Sequence, residues 1–389
     1  MRCDFSVLAM TKSLLERAAM FLQREKNVLL AFFSSRLAVW AVAWLAGSWF
    51  TPGPSGVKFH PWLWDMLFRW DAAWYAMIVK HGYSYTPGAE SNVAFFPLLP
   101  LLTAGVRGVM RVHLELAGFI VSNAALLASA VLLRRLASLD YPAPSRVPER
   151  AVWLLLFCPM TFFYSTMYTE SLFLMLSLCV FLLARRREWL GAGIAGALLT
   201  ATRGNALLIA LPVIWEVFFA RTRRESIATR QARDRSVGWL LLMPLGLVLY
   251  ATYLHFHVGD ALAFGHAQAA WGRSIQPPWV GIGNALGYPS PYRALVFGSA
   301  AVAVAVGMLG YRLRLRLSYQ IYAAASILFL LSSSIFHGLP RMLSVIFPLY
   351  LAIAAAGERS EETYLFSLAG SAALMAICVA LFVSGYLMI

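Results

Sequence analysis

The feature that most constrains this chain is a series of apolar runs, most of them long enough to form a membrane helix. They lie near 28–50, 117–138, 151–167, 168–184, 189–203, 205–220, 237–256, 292–310, 318–335, 340–356 and 363–387. A helix needs about 20 apolar residues to cross the hydrocarbon core, which open sheets and lipid-exposed loops cannot cross. Charged residues make up only 13% of the 389 residues, against about 25% in a soluble domain. The sequence therefore predicts an all-α polytopic membrane protein.

Basic residues between these runs predict the orientation of the helices, because Lys and Arg are enriched in cytoplasmic loops. They form five clusters: Arg17, Arg24 and Lys26; Arg134, Arg135, Arg146 and Arg150; Arg185, Arg186 and Arg187; six arginines from Arg221 to Arg235; and Arg312, Arg314 and Arg316. If all five clusters are cytoplasmic, an even number of crossings separates neighbouring clusters. This parity predicts turns near 165–170 and 202–205, and it predicts that 93–110 does not cross fully.

The resulting layout is a single transmembrane domain over residues 1–389. It has about eleven crossings, a cytoplasmic N-terminus and a C-terminus on the outer side. The run at 28–50 is too long for a signal peptide and lacks a small-residue cleavage site, so we expect it to remain as the first span. Topology also explains the net charge of +14, because the basic residues do not form one amphipathic face. No nucleic-acid partner is expected.

Two outer segments, 51–116 and 257–291, are long enough to fold. The first is rich in aromatic residues of the kind found in helices that lie in the headgroup layer. These residues are Trp62, Trp64, Phe68, Trp70, Trp74 and Tyr75. We therefore expect interfacial helices in this segment, followed by an interfacial or re-entrant stretch at 93–110. The protein is expected to be a multi-pass protein of the inner (plasma) membrane.

Candidate functional residues gather at the predicted outer ends of the spans. They are Arg69, Trp70, Asp71, Trp74, Tyr75, His81, Tyr83, Glu90, Tyr168, Glu170, Arg203, Asn205, His337 and Arg341. No Cys or His spacing indicates zinc, and no Asp-x-Asp pair is present. Gly-rich dinucleotide and Walker-type loops are also missing. The sequence therefore requires no metal or cofactor.

The carboxylates allow two interpretations each. Asp71 is either the N-cap of a helix over 72–79 or a general base, whose pKa aromatic burial would raise and Arg69 would lower. Glu170 is either a structural ion pair or a functional group, since an ionisable residue within a membrane span is costly. Their shared position on one face favours the functional interpretations.

The other polar residues are ambiguous in the same way. Arg203 and Arg341 either extend to the headgroups or converge on a phosphate, which Arg binds bidentately. Asn205 is either a turn residue or part of the site, and His81 and His337 are either interfacial or part of the site. Their shared face favours a site.

Several strings resemble those of the PIG-V mannosyltransferases. They are RWDAAWY at 69–75, HGY at 81–83, AFFPLLP at 94–100, PMTFFYS at 159–165, YTESLF at 168–173 and ATRGN at 201–205. The resemblance covers roughly 65–210. It implies a glycosyltransferase of the GT-C type that takes mannose from a polyprenyl-phosphate donor on the lumenal or periplasmic side and inverts the anomeric centre. It also implies that Asp71 is catalytic and that Glu170, Arg203 and Asn205 occupy functional motif positions.

The combined hypothesis is a membrane mannosyltransferase acting on a lipid or glycan acceptor. Asp71 and Glu170 are the predicted catalytic residues, and the predicted donor- and phosphate-binding residues are Arg203, Arg341, Asn205 and His337. The predicted substrate-binding residues are Arg69, Trp70, Trp74, Tyr75, His81, Tyr83, Glu90 and Tyr168. The alternative is a transporter or flippase for lipid-linked sugars, which would place ionisable groups near the bilayer midplane and show inverted repeats or broken helices. Polar motifs at span ends, without a visible repeat, favour the enzyme.

Overall fold

The computed structural model describes Met20 and residues 22–49, 66–218 and 237–385. Within these ranges the regular secondary structure is helical apart from an isolated antiparallel bridge between Ile275 and Ser333, and turns and irregular stretches connect the helices. The helices are α1 Lys26–Trp49, α2 Asp71–His81, α3 Leu98–Met110, α4 Leu114–Asp140, α5 Val147–Leu156, α6 Glu170–Arg185, α7 Trp189–Thr200, α8 Ala210–Phe218, α9 Leu245–Val258, α10 Ala263–Ala270, α11 Pro278–Ala285, α12 Ser290–Arg312, α13 Leu317–Leu331, α14 Leu339–Ser344, α15 Pro348–Arg359 and α16 Glu361–Val383. Short 3₁₀ segments lie at Asn92–Ala94, Thr161–Ser165, Gly204–Ile209 and Val237–Leu242.

Five helical stretches in the described ranges are long and apolar enough to cross a membrane. They are α1, α4, Val237–Val258, α12 and α16. Shorter apolar helices accompany them at Leu98–Met110, Trp189–Thr200, Gly204–Phe218 and Leu317–Leu331. The predicted all-α membrane class is thus confirmed, whereas the number of crossings stays a prediction. The 13 residues of α3 span about 20 Å, less than the ~30 Å of a hydrocarbon core.

Both apolar runs that were predicted to turn are interrupted. Between α5 and α6 the chain forms the 3₁₀ segment Thr161–Ser165, and α6 then begins at Glu170. The second run breaks after Thr200 and continues as the 3₁₀ segment Gly204–Ile209. Each run therefore forms two short elements, and the polar motifs of the sequence lie at the breaks.

A buried arginine of α1 stabilises the first break. The guanidinium of Arg36 donates to the carbonyl of Leu156 at 3.2 Å and to the carbonyl of Thr161 at 3.0 Å. It also donates to the hydroxyls of Thr161 at 2.7 Å and Ser165 at 2.6 Å. A broken helix inside a bilayer leaves carbonyls that water cannot reach. Arg36 provides their donors and so fixes the segment that leads to Glu170.

The core surrounds α6, whose side chains are nearly all buried. This helix is apolar on every side, as expected for an element enclosed by others. It packs against α4 and α7, and α4 also packs against α3 and α5. Because α6 has 16 residues, its two ends lie about 24 Å apart. Glu170 at its start and Arg185 at its end therefore belong to opposite sides of the bundle.

Ion pairs connect the helix ends that carry the basic clusters. The members of this ion-pair belt are Glu25 with Arg134 and Arg135, Asp140 with Arg185 and Tyr319, Glu216 with Arg316 and Ser318, and Arg150 with Glu361. The starts of α1, α5, α13 and α16 and the ends of α4, α6 and α8 thus lie on one side. Arginines from clusters that are distant in sequence come together there, as the charge parity requires.

Small residues let α7 approach α9 closely. A Cβ atom added at Gly246 would lie 2.0 Å from the carbonyl oxygen of Ala197, and one added at Gly193 would lie 2.2 Å from that of Trp239. The hydroxyl of Thr200 donates to the Met243 carbonyl at 2.7 Å. Glycine at such contacts is typical of membrane helix pairs. This packing fixes the end of α7, from which residues 201–205 leave the helix.

The two outer segments form short helices beside the bundle. The part of the first segment at 51–65, which includes Trp62 and Trp64, lies outside the described residues. The remainder contains α2, the 3₁₀ segment Asn92–Ala94 and α3. The second segment contains α10 and α11. Residues of both segments pack together, since the ring of Phe264 contacts that of Phe96. Tyr250 of α9 contacts Phe96 as well.

Candidate active site

A cavity of about 720 Å³ opens at the end of the bundle where α6 begins. Its wall comes from the start of α2, residues 94–96, 168–170 and 202–205, α10, and the stretches 271–275 and 329–342. All the predicted site residues except three line it. Those that line it are Trp70, Asp71, Trp74, Tyr75, Glu90, Tyr168, Glu170, Arg203, Asn205, His337 and Arg341. The ion-pair belt lies at the opposite end of α6.

Asp71 is the first residue of α2 and does not cap it. Trp70 occupies the cap position, so the capping interpretation is wrong. The Asp71 carboxylate instead accepts a hydrogen bond from Nη1 of Arg341 through Oδ2 at 2.6 Å. Its side chain is 27% exposed, against 8% for that of Arg341. The carboxylate is therefore held by a buried cation and remains accessible from the cavity.

The backbone that leads into α2 is tightly fixed. Trp70 has φ 46°, a value uncommon for a bulky residue and typical of strained functional sites. Its ring packs against Phe382 at 4.7 Å between centroids. The Tyr168 hydroxyl donates to the Arg69 carbonyl at 2.9 Å, and the Thr166 hydroxyl donates to that of Leu67 at 2.8 Å. The segment before α6 thus determines the direction of Asp71.

Glu170 lies at the centre of the charged cluster and is fully buried. Its Oε1 atom is 2.5 Å from Nη2 of Arg203 and 3.3 Å from Nε of Arg341. Asp71, Arg341, Glu170 and Arg203 consequently form a chain of alternating charge, in which each carboxylate faces a guanidinium. Charges removed from water need such pairing to be tolerated.

The two predicted phosphate-binding arginines turn inward. Arg203 also donates from Nε to the Thr169 hydroxyl at 2.7 Å, and its guanidinium lies 5.3 Å from the ring centroid of Phe173. The guanidinium of Arg341 lies 4.9 Å from the centroid of the Tyr168 ring. Neither arginine extends to the headgroups, because carboxylates and aromatic rings hold both.

His337 lies between α13 and α14 and faces the cavity beside two tyrosines. Its ring centroid is 4.8 Å from that of Tyr288 and 6.0 Å from that of Tyr292. Burial, and then the positive charge of Arg273, lower the pKa of His337 below its ordinary value. A neutral imidazole provides one donor and one acceptor at the cavity wall. Asn205 lines the same cavity.

Three predicted residues do not line the cavity. Arg69 is buried and donates from Nη1 to the Phe68 carbonyl at 3.2 Å. His81 ends α2 as an exposed residue. The Tyr83 hydroxyl donates to the Phe95 carbonyl at 2.8 Å, and its ring packs against Tyr250. Tyr83 therefore supports the wall from behind.

Residues of the second outer segment complete the site and were missed by sequence reasoning. Phe264, Gln268, Trp271 and Arg273 all line the cavity. The Trp271 ring forms an aromatic cluster with Trp74 and Phe95, with centroid distances of 5.8 and 5.9 Å. Aromatic residues in an outer segment of balanced charge were a signal, but it did not distinguish interfacial packing from a site.

The described ranges hold no group of three His, Cys, Asp or Glu side chains arranged to bind a metal. Two of the carboxylates that line the cavity, those of Asp71 and Glu170, are engaged by the guanidiniums of Arg341 and Arg203.

Residues 55–256 match the family model described as mannosyltransferase (PIG-V). This match covers just over half of the chain and contains Asp71, Glu170, Arg203 and Asn205. The chain belongs to the PIG-V mannosyltransferase family. Arg273, His337 and Arg341 lie beyond the matched residues, so the cavity combines the family region with a later part of the chain.

Curated relatives support the assignment over a shorter stretch. GPI alpha-1,6-mannosyltransferase 2 of Cricetulus griseus and that of Mus musculus are each 33% identical to the chain over 154 residues. The aligned part is 36% of this chain and 30% of each relative. The match thus spans less than a third of the relatives' own length.

Solved structures show the fold class. The oligosaccharyltransferase of Archaeoglobus fulgidus in its apo form aligns with a TM-score of 0.50 at 12% identity, over 90% of this chain and 56% of that one. The same enzyme tethered to an acceptor peptide aligns at 0.53 and 13%, over 95% of this chain and 56% of that one. The fold is therefore GT-C-like, as the sequence resemblance implied.

Proposed function

We propose that this chain is an integral membrane mannosyltransferase. It moves mannose from a polyprenyl-phosphate donor to a hydroxyl of a lipid or glycan acceptor, with inversion, at the extracytoplasmic face. The observation that carries the proposal is the accessible Asp71 carboxylate, which lines a large cavity and is held by the buried Arg341. Family membership supports mannose as the sugar, and the membrane helices favour a donor anchored in lipid.

In the proposed reaction Asp71 acts as the general base. The acceptor hydroxyl attacks the anomeric carbon from the face opposite the phosphate, and its proton passes to the Asp71 carboxylate. The bond between the anomeric carbon and the phosphate oxygen breaks, and polyprenyl phosphate leaves with the bonding electron pair. A general base of this kind contributes about 10²- to 10⁴-fold to the rate. Arg341 keeps the carboxylate oriented through the hydrogen bond from Nη1 to Oδ2.

Glu170 has a supporting role in this proposal. Glu170 lines the cavity but is fully buried and engaged by two guanidiniums, so we assign it a positioning role through Arg341 and Arg203. The two arginines balance the charges of Asp71 and Glu170 and hold both carboxylates in place. Asn205 and His337 are proposed to contact the donor. Trp70, Trp74, Tyr75, Glu90 and Tyr168 line the remaining wall for the sugar and acceptor.

Incubating the purified protein with synthetic polyprenyl-phosphate mannose and a membrane lipid extract tests the activity. We expect mass spectrometry to reveal new products heavier by one hexose, together with free polyprenyl phosphate. Anomer-specific mannosidases then report the stereochemistry. Reactions with sugar-free polyprenyl phosphate serve as the control. If the donor stays intact while reconstituted vesicles move it between leaflets, the chain is a carrier and the proposal is wrong.

Cysteine labelling tests the proposed face and the eleven-crossing layout. We expect Ala89→Cys, an exposed position beside Glu90, to react with a membrane-impermeant thiol reagent added to intact cells. Ala228→Cys, which lies in the fourth basic cluster and outside the described residues, is expected to react only after the membrane is permeabilised. The measurement is made in a background without native cysteines. Labelling of Ala228→Cys in intact cells would show that the fourth basic cluster is extracytoplasmic and that the proposed orientation is wrong.

A further inference from the structure

Three guanidinium groups line the cavity, and they differ in what already neutralises them. Arg203 faces Glu170 at 2.5 Å, and Arg341 faces Asp71 at 2.6 Å. Arg273 has no ion-pair partner among the described residues; its recorded hydrogen bond runs from Nη2 to the carbonyl of His337 at 3.1 Å. The alternating chain of two carboxylates and two arginines is charge-balanced, so Arg273 adds a positive charge.

The backbone holds Arg273 in place. The stretch 272–276 pairs with 332–337, because Ser334 donates its N–H to the Ser274 carbonyl at 2.9 Å and Gln276 donates to the Ser332 carbonyl at 3.0 Å. The Ser334 hydroxyl accepts from the N–H of Ser274 at 2.8 Å. A side chain on such a pinned segment is preorganised for a ligand.

The surroundings of Arg273 disfavour an isolated cation. Burial and the nearby charge of Arg341 lower the pKa of the Arg273 guanidinium below its ordinary value. Asp71 opposes this effect from a distance, while Glu90 is an exposed side chain elsewhere on the cavity lining. Arginine stays protonated at physiological pH. An anion bound in the cavity would relieve the unfavourable charge.

We propose that Arg273 binds the phosphate of the polyprenyl-phosphate donor and holds the same phosphate as the leaving group. The inference rests on the proposed function and reassigns the phosphate from Arg203 and Arg341, whose charges are already used. Nη2 uses one of its two N–H groups for the His337 carbonyl. Its second N–H, paired with that of Nε or Nη1, remains for two phosphate oxygens, the paired geometry that arginine provides better than lysine. A phosphate on the acceptor lipid would satisfy the same chemistry, and the experiment distinguishes the two sources.

The first test compares the binding of a prenyl phosphate with that of the matching neutral prenol. Purified wild type, Arg273→Gln and Arg273→Lys are titrated by calorimetry in detergent. Arg293→Gln is the matched control, because Arg293 also donates to a backbone carbonyl, that of Leu286 at 2.7 Å, and is partly buried like Arg273, but lies away from the cavity lining. We expect Arg273→Gln to reduce the preference for phosphate over alcohol by about 10- to 100-fold. Arg273→Lys should retain part of the preference and Arg293→Gln all of it.

Each result separates this inference from the proposed function. If wild type and both arginine-to-glutamine variants prefer the phosphate equally, Arg273 is not its ligand and the function stands. If wild type shows no preference, the donor class fails and the inference fails with it. Unchanged prenol affinity excludes misfolding of the variant. If Arg273→Gln raises the KM for the acceptor while prenyl-phosphate binding is unchanged, the arginine serves an acceptor phosphate and the donor assignment is wrong.

Discussion

Replacing Asp71 with Asn is expected to abolish most sugar transfer while the protein still folds. Asn keeps the size of the side chain, and its carbonyl oxygen still accepts the hydrogen bond from Arg341. It does not accept the proton of the acceptor hydroxyl, so kcat should fall by about 10²- to 10⁴-fold. Product formation measured by mass spectrometry, with donor binding measured in parallel, checks this expectation.

The control for this substitution is Asp260→Asn. Asp260 also lies outside the apolar helices, and its Oδ2 atom lies 2.6 Å from Nδ1 of His266. It does not line the cavity. We expect wild-type turnover from this variant. Full turnover in Asp71→Asn, with donor affinity unchanged, would show that Asp71 is not the general base. No other carboxylate of the cavity is proposed for that role.

Substituting Glu170 with Gln is expected to lower the free energy of unfolding more than any other substitution proposed for this protein. The carboxylate is fully buried and faces both Arg203 and Arg341. Neutralising it leaves two guanidiniums opposite a single remaining carboxylate, Asp71. Removing one partner of a buried ion pair typically costs about 3–5 kcal/mol. Denaturant or thermal unfolding in detergent measures the loss.

The matched control is Glu361→Gln. Glu361 also pairs with an arginine, Arg150, but its side chain is 54% exposed. Water reaches the Glu361 carboxylate and weakens this pair, and exposed pairs contribute only about 0–1 kcal/mol, so the loss of stability should be smaller than in Glu170→Gln. Adding Arg203→Gln to Glu170→Gln should recover part of the stability by restoring the charge balance. Equal losses in the two single variants would show that the central position of Glu170 has no special energetic weight.

Local patterns predicted the parts of the site that lie close in sequence. Charge parity placed breaks near 165–170 and 202–205, and the structure brings Glu170 and Arg203 together at those breaks. The pattern of apolar runs was sufficient to place both residues at one end of the bundle, because each residue lies where its run turns back. The side of the bundle opposite the basic clusters was identified in the same way.

Contacts between distant segments were not predictable from one sequence. Arg341 lies 270 positions after Asp71, and no periodicity specifies which carboxylate an arginine will pair with. The capping interpretation of Asp71 failed for the same reason, since a long-range ion pair outweighed a local hydrogen bond. Arg273 was overlooked because backbone hydrogen bonds to residues 332–337 bring it to the cavity. Neither stretch has the residue pattern of a strand, so the sequence does not predict this pairing.

The ion-pair belt has a consequence for how substrates enter and leave. Alternating access requires two halves of a membrane protein to separate on each side in turn. On the side of the belt, separation would break several pairs between α1, α4, α5, α6, α8, α13 and α16 at once. Each opened pair leaves partly buried charges without partners. Donor and acceptor should therefore enter through the cavity opening on the side opposite the belt. Both products should leave through the same opening, to the membrane or to the water on that side.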